Sequence, residues 1–245
     1  MQRMLILGLA ALLTACGGGD DRSPLDSVGE GTPPAVPTPP PVSFDVSVVN
    51  LTNAQPLSPV AMVLHNGGVR VFEVGSPVNL DLENLAEGGD NGPWLASFDG
   101  NADVLETRSG AGPLPPGGRQ DDTFELADDD IGTVHLSVVS MLVNTNDAIT
   151  SVNAVDLSGM MVGDSMTLNL VAYDAGTEAD TEAPGTIPGP ADGGEGFNAV
   201  RDDELDGVTM HNGVISNSDV LATSVLTEQH RFDNPVARVI ISRTQ

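Results

Sequence analysis

Only one cysteine, Cys16, occurs in this chain, so no intramolecular disulfide can brace whatever it folds into. A secreted domain without disulfides rests on its apolar core or on a bound metal. The remaining residues say which kind of core to expect. Valine and leucine recur, with 28 Gly and 18 Pro, while aromatic residues make up only 3%. β-Branched residues suit a pleated sheet, and Gly and Pro punctuate turns. Short strands joined by many turns are therefore expected, with little helix.

Cys16 closes the run Leu13-Thr14-Ala15-Cys16, behind the apolar stretch Met4 to Leu13 and the positive Arg3. A charged start, an apolar middle and small residues at the cut make a secretory signal. Here the pattern resembles the lipobox of bacterial lipoproteins. The apolar stretch is about half the roughly 20 residues that span a bilayer. Acyl chains on Cys16 would supply the anchor instead, at about 0.8 kcal/mol per buried CH2. The expected organisation is a signal peptide over 1–15, then lipidated Cys16 and a Pro/Gly-rich tether over 16–42. A folded domain follows over 43–245. Pro33-Pro34 through Pro39-Pro40-Pro41 should be extended, partly polyproline II, holding the domain off the membrane. Gly17 after the cysteine, in place of Asp, points to the outer membrane, with the periplasmic and surface faces both open.

The formal net charge is -26, and all nine basic residues are arginines. Such a surface repels nucleic acid and anionic lipid. It suits divalent cations, a salty medium or a basic partner. Without lysine there is no Schiff-base or P-loop chemistry. No Gly-x-Ser-x-Gly elbow is present, and His65, His135, His211 and His230 show no zinc spacing. The sequence therefore reads as a binding protein, not an enzyme. Asp202-x-Glu204-x-Asp206-Gly207 imitates an EF-hand start, but Gly213 stands where the twelfth-position Glu is needed. Asp128-Asp129-Asp130 reads as a solvated charge run. The sole tryptophan, Trp94, follows Gly92-Pro93 and reads as a local core plug, with an exposed partner anchor as the other option.

Alternation of apolar and polar residues predicts strands at Phe44–Leu51, Val60–Leu64, Val69–Val74, Thr133–Val143, Ala148–Leu157, Ser165–Tyr173, Val208–Ile215 and Val236–Ser242. Leu80, Leu82, Leu85 and Ala86 allow a short helix, ended by Gly88-Gly89. Residues 99–122 read as a polar stretch containing a Gly/Pro loop, and 178–204 as a long acidic loop. The pattern is that of an antiparallel, all-β sandwich.

Several ordered segments then become specific. They are Asn50-Leu51-Thr52-x-x-Gln55-Pro56-Leu57-Ser58-Pro59, Leu85-Ala86-Glu87-x-Gly89 and Ser140-Met141-Leu142-Val143-x-Thr145-Asn146-Asp147. Tyr173-Asp174-Ala175-Gly176-Thr177-Glu178, Ile187-Pro188-Gly189-Pro190 and Asn234-Pro235-Val236-Ala237-Arg238-Val239 continue the series. Together, over about Phe44 to Arg243, they resemble the spondin N-terminal domain in its bacterial, single-domain form. The resemblance implies an eight-stranded, C2-like antiparallel sandwich with long acidic loops and one or two short helices. It also implies one calcium ion (Ca2+) in loops at one end and a role in adhesion. Matched residue by residue, the ligands are Asp147, Asp174 and Glu178. Animal members carry Asp at the position of Glu178 and Trp at that of Ala148, so their partner contacts do not transfer directly.

Physical chemistry stands beside the resemblance. Calcium takes six to eight oxygens, at about 2.3–2.6 Å. Asp147 and Asp174 both sit at strand ends, and Gly176 can take the positive φ that folds Glu178 back beside Asp174. Carboxylates so gathered repel each other unless a cation neutralises them. Glu87 and Asp180 are the reserve donors; the plain alternative is three solvated loop acids. The function expected is that of a lipid-anchored, calcium-binding envelope protein whose matrix or surface partner the sequence does not name. An envelope hydrolase using clustered carboxylates and a structural envelope spacer are the competing readings.

Overall fold

The computed structural model describes residues 40–127 and 132–245. Cys16, the expected tether up to residue 39 and the Asp128-Asp129-Asp130 run lie outside them, while Val42, expected to end the tether, begins the first strand. In chain order the elements are β1 (Val42–Asn50), β2 (Ala61–His65), α1 (Leu80–Gly88), α2 (Gly92–Ala96), β3 (Val104–Ser109), β4 (Arg119–Leu126), β5 (His135–Met141), β6 (Ala148–Asp156), β7 (Ser165–Leu170), β8 (Ala172–Asp174), β9 (Thr209–Met210) and β10 (Ala237–Arg243). The strands form two sheets, ordered β4-β1-β10-β7 and β3-β2-β5-β6-β8-β9. Every pairing is antiparallel. The described residues are thus mostly β, with two short α-helices, as the composition required.

The two sheets share one apolar core. β1 supplies Phe44, Val46 and Val48, and β4 supplies Phe124. β10 supplies Val239 and Ile241; Met62, Leu64, Leu136 and Val138 come from β2 and β5. Burying each such side chain contributes about 1.5–3 kcal/mol. β2 is buried along its whole length. Its alternate residues explain this: Met62 and Leu64 face the other sheet, while Ala61 and Val63 face a second core under α1 and α2.

The predicted helix is α1. Asn79 caps it, its Oδ1 accepting the Leu82 N–H at 2.9 Å, and Leu82, Leu85 and Ala86 face the sheet. Gly89 ends it at φ 68°, and a Cβ there would stand 2.9 Å from Ser58 Cβ. Trp94, on α2, is 2% exposed and meets Phe98 edge to face, so it plugs the second core.

Three stretches depart from the alternation. Val69–Val74 forms no strand, because Asn153 of β6 satisfies its backbone with a side chain: Oδ1 accepts the Val71 N–H and Nδ2 donates to Phe72 O. Only Thr209–Met210 of Val208–Ile215 pairs, as β9. Residues 99–122 hold β3 and the start of β4, both outer strands of their sheets. Outer strands bury fewer residues, so β4 exposes Arg119, Asp121, Thr123 and Glu125 and has little apolar signal. The clean run Ser165–Tyr173 is broken at Val171, where the chain leaves the four-stranded sheet as β7 and enters the six-stranded one as β8.

Candidate metal centre

The β5–β6 turn and the loop after β8 meet at one end of the six-stranded sheet. Register brings them there: Ala148 of β6 is opposite Asp174 of β8, so Asp147 and Asp174 end neighbouring strands. Four consecutive polar residues of the turn, Asn144, Thr145, Asn146 and Asp147, are buried, and each is tied down. Thr145 Oγ1 donates to Leu142 O and accepts the Ala148 N–H. Asn146 Oδ1 accepts the Glu182 N–H, and its Nδ2 donates to Thr186 Oγ1. Asn144 Oδ1 accepts the Ala191 N–H at 3.0 Å.

Asp147 is fully buried. Its Oδ2 accepts the Thr177 N–H at 2.7 Å, the Glu178 N–H at 3.1 Å and the Thr177 hydroxyl at 3.1 Å. Its Oδ1 is buried with no hydrogen-bond partner among the described residues. Burial raises this carboxyl to about pKa 6, and the charge of Asp180 adds to the rise, against the pull of the Thr177 and Glu178 amides. Asp174 accepts the Gly176 N–H at 2.8 Å. Burial, then the charges of Asp147 and Asp180, push it to about 7. Burial and the charges of Glu87 and Asp147 push Glu178 to about 8. The charge of Asp147 therefore opposes ionisation of both Asp174 and Glu178.

Both reserve acids belong to the same region. Glu87, near the end of α1, is fully buried. Its Oε2 accepts the Asn198 N–H at 2.8 Å, while Oε1 has no partner among the described residues. Glu83, one turn earlier, pairs with Arg201, while burial holds the Glu87 carboxyl above its ordinary range despite the Asn198 N–H and the charge of Arg201. Asp180 Oδ1 lies 3.4 Å from His211 Nε2. Since His211 Nδ1 accepts the Gly213 N–H, the ring proton of the neutral tautomer sits on Nε2, facing Asp180. The EF-hand imitation serves differently from an EF-hand: Asp202 straps the loop, accepting the Ala179 N–H and donating its own N–H to Thr177 O.

Gly176 makes the approach possible. Its φ is 72°, and a Cβ there would stand 2.6 Å from Gly207 N and Leu205 O, so both the turn and the packing require Gly.

Positioning residues beyond the acids were not singled out from sequence. Gln55 Nε2 donates to Asn144 O and His230 O, and Gln55 Oε1 accepts the Asn144 N–H. Asn50 Nδ2 donates to Gln55 O and Leu114 O. Glu182 Oε1 accepts the Ile215 N–H, and its Oε2 accepts the Ser216 N–H and the Ser224 hydroxyl. These buried side chains tie the loops to one another where no disulfide does. The signal was present in part, since Asn50 and Gln55 lie in the first quoted segment.

The arrangement suits a hard cation. Its donors are carboxylate oxygens, one of them buried and unpartnered, and their mutual repulsion is what a divalent ion relieves. As placed, no three His, Cys, Asp or Glu side chains among the described residues close into a metal-holding group. No protein-family model matches the chain, and no curated protein matches it.

Proposed function

We propose that this chain is a lipid-anchored envelope protein whose sandwich is of the spondin N-terminal type, binds calcium through Asp147, Asp174 and Glu178, and serves adhesion or matrix attachment. The observation that carries the metal reading is Asp147 Oδ1, a buried carboxylate oxygen without a partner inside a group of mutually repelling acids. Unpartnered buried acceptors cost about 1–3 kcal/mol, more when charged, and a cation removes that cost. The described residues hold ten strands in two antiparallel sheets, and that two-sheet framework is what supports the C2-like reading. The quoted segments around Asn50, Gln55 and Asn144 make the polar staple behind the acids, a reason for such segments to occur together. The lipobox pattern at Cys16 supports the anchor, and the acidic surface supports a partner of positive charge.

Thermal unfolding of the purified domain in EDTA and in millimolar calcium tests the metal. An ion at about 100 times its Kd stabilises by about 2.7 kcal/mol. For a domain of about 200 residues that raises the Tm by roughly 5–10 °C. Asp174→Ala should abolish the rise. A wild-type Tm indifferent to calcium sinks the metal reading.

A further inference from the structure

β7 is an outer strand: β10 lies on one side, and among the described residues no strand pairs with the other. Arg243 N–H donates to Asp164 O, and opposed residues of an antiparallel pair alternate between exchanging both bonds and none. In this register Met166, Leu168 and Leu170 therefore bond to Ile241, Val239 and Ala237. The other side of β10 agrees, because Leu51 N–H donates to Val236 O, turning the even-numbered residues of β10 toward β1. The backbone N–H and C=O groups of Ser165, Thr167 and Asn169 are left facing away from the sheet.

Outer strands are normally guarded by charge, because a bare edge invites another strand. β4 carries Arg119, Asp121, Asp122 and Glu125, and β3 carries Glu106 and Arg108. β9 has only two residues. β7, Ser165-Met166-Thr167-Leu168-Asn169-Leu170, has no charged residue in a chain of net charge -26. Beside it lies a cleft of about 340 Å³ lined by Val152, Val155, Leu168 and Tyr173. A second cleft of about 340 Å³ lies at the β6–β7 turn, lined by Met160, Met166, Asp156 and Asp164. That turn exposes Met161 and Val162, at 69% and 63%.

We propose that β7 is a docking edge for an extended, basic peptide segment of another protein. The segment adds as a fifth strand of the β4-β1-β10-β7 sheet. Its main chain pairs with Ser165, Thr167 and Asn169, its alternate apolar side chains enter the clefts, and a cationic residue meets Asp156 and Asp164. Strand addition draws affinity from main-chain bonds and selectivity from alternate side chains. Charge selects this occupant. Two copies of a chain at -26 repel one another, and residues 17–41 are acidic and rich in Pro, which cannot donate to a ladder. None of the outward-facing residues Ser165, Thr167 and Asn169 belongs to the carboxylate centre.

The probe is a fluorescent peptide of alternating lysine and valine, read by anisotropy near physiological salt, with amide exchange followed on the protein. Its control has the same charge, with the edge-facing amides N-methylated. The proposal expects slowed exchange at Thr167 and Asn169, and at least about tenfold weaker binding of the control. Thr167→Pro removes an outward N–H while sparing the β10 ladder, and should weaken binding similarly. Asp147→Asn should bind as the wild type does, which separates this edge from the metal reading. Equal binding of both peptides, or no protection on β7, overturns the proposal. So does a dimer of the free protein in which Thr167 and Asn169 are already protected, because the edge then belongs to a second copy. The N-methylated control decides the matter even if Thr167→Pro does not fold.

Discussion

Asp147 Oδ2 receives the backbone N–H of Thr177 at 2.7 Å while its Oδ1, also buried, receives nothing from the described residues. One carboxylate thus holds the loop after β8 with one oxygen and offers the other. The two roles respond differently to substitution. Asp147→Ala leaves the Thr177 and Glu178 amides without their acceptor and should destabilise the metal-free protein by about 2–4 kcal/mol. Asp147→Asn keeps an acceptor for those amides and removes a like charge. It should leave metal-free stability unchanged or raised, yet lose the calcium response. Urea unfolding of both variants, in EDTA and in calcium, distinguishes these outcomes.

The raised carboxyls set a pH dependence. Asp147, Asp174 and Glu178 titrate near 6, 7 and 8 when folded, against about 3.9 for Asp and 4.3 for Glu when unfolded. Between those values the folded state holds more protons, so stability falls as pH rises. Their contribution is fully present below about pH 4 and is lost progressively through pH 6–8. Calcium replaces those protons, so its presence should flatten the decline, and its affinity should rise over the same interval. Unfolding at pH 5 and pH 8.5, with and without calcium, measures both slopes; parallel slopes would count against the site.

Gly176→Ala should cost about 2–5 kcal/mol. A left-handed backbone costs a residue with a Cβ about 1–2 kcal/mol, and the added methyl meets backbone of Leu205 and Gly207, adding about 1–3. Since the obstructing atoms are main chain, the 205–207 segment must move. Faster amide exchange at Gly207 and Val208 would report that movement.

Glu182→Ala should loosen the 211–226 region. Its carboxylate holds the Ile215 and Ser216 amides and the Ser224 hydroxyl, and Val225 N–H donates to its carbonyl. Two orphaned amides cost about 2–6 kcal/mol in all. Hydrogen exchange should accelerate across Ile215–Leu226 before global unfolding, while Phe44 and Val239 in the main core stay protected. Uniform loss of protection would mean that Glu182 has no local role.

A chain with one cysteine, few aromatics and many Val, Gly and Pro could be read as mostly β, and β1, β5, β6 and β10 were legible from alternation. So was α1, through its apolar spacing and Gly88-Gly89. These signals are local, because a strand or helix that faces a core writes its period into adjacent residues. β3 and β4 were not legible, since an outer strand buries too little to leave that mark. Val69–Val74 carries the mark without the strand, since Asn153, far along the chain, captures its backbone. The acids followed the same division. Asp147, Asp174 and Glu178 were matched through the resemblance, and Gly176 was read from the sequence as the residue that turns the loop. Only tertiary structure decided that Ala148 lies opposite Asp174, that Asp147 is buried with one oxygen unpartnered, and that Glu87 joins the group from α1. Register, burial and through-space charge depend on residues distant in sequence, and no local pattern encodes them.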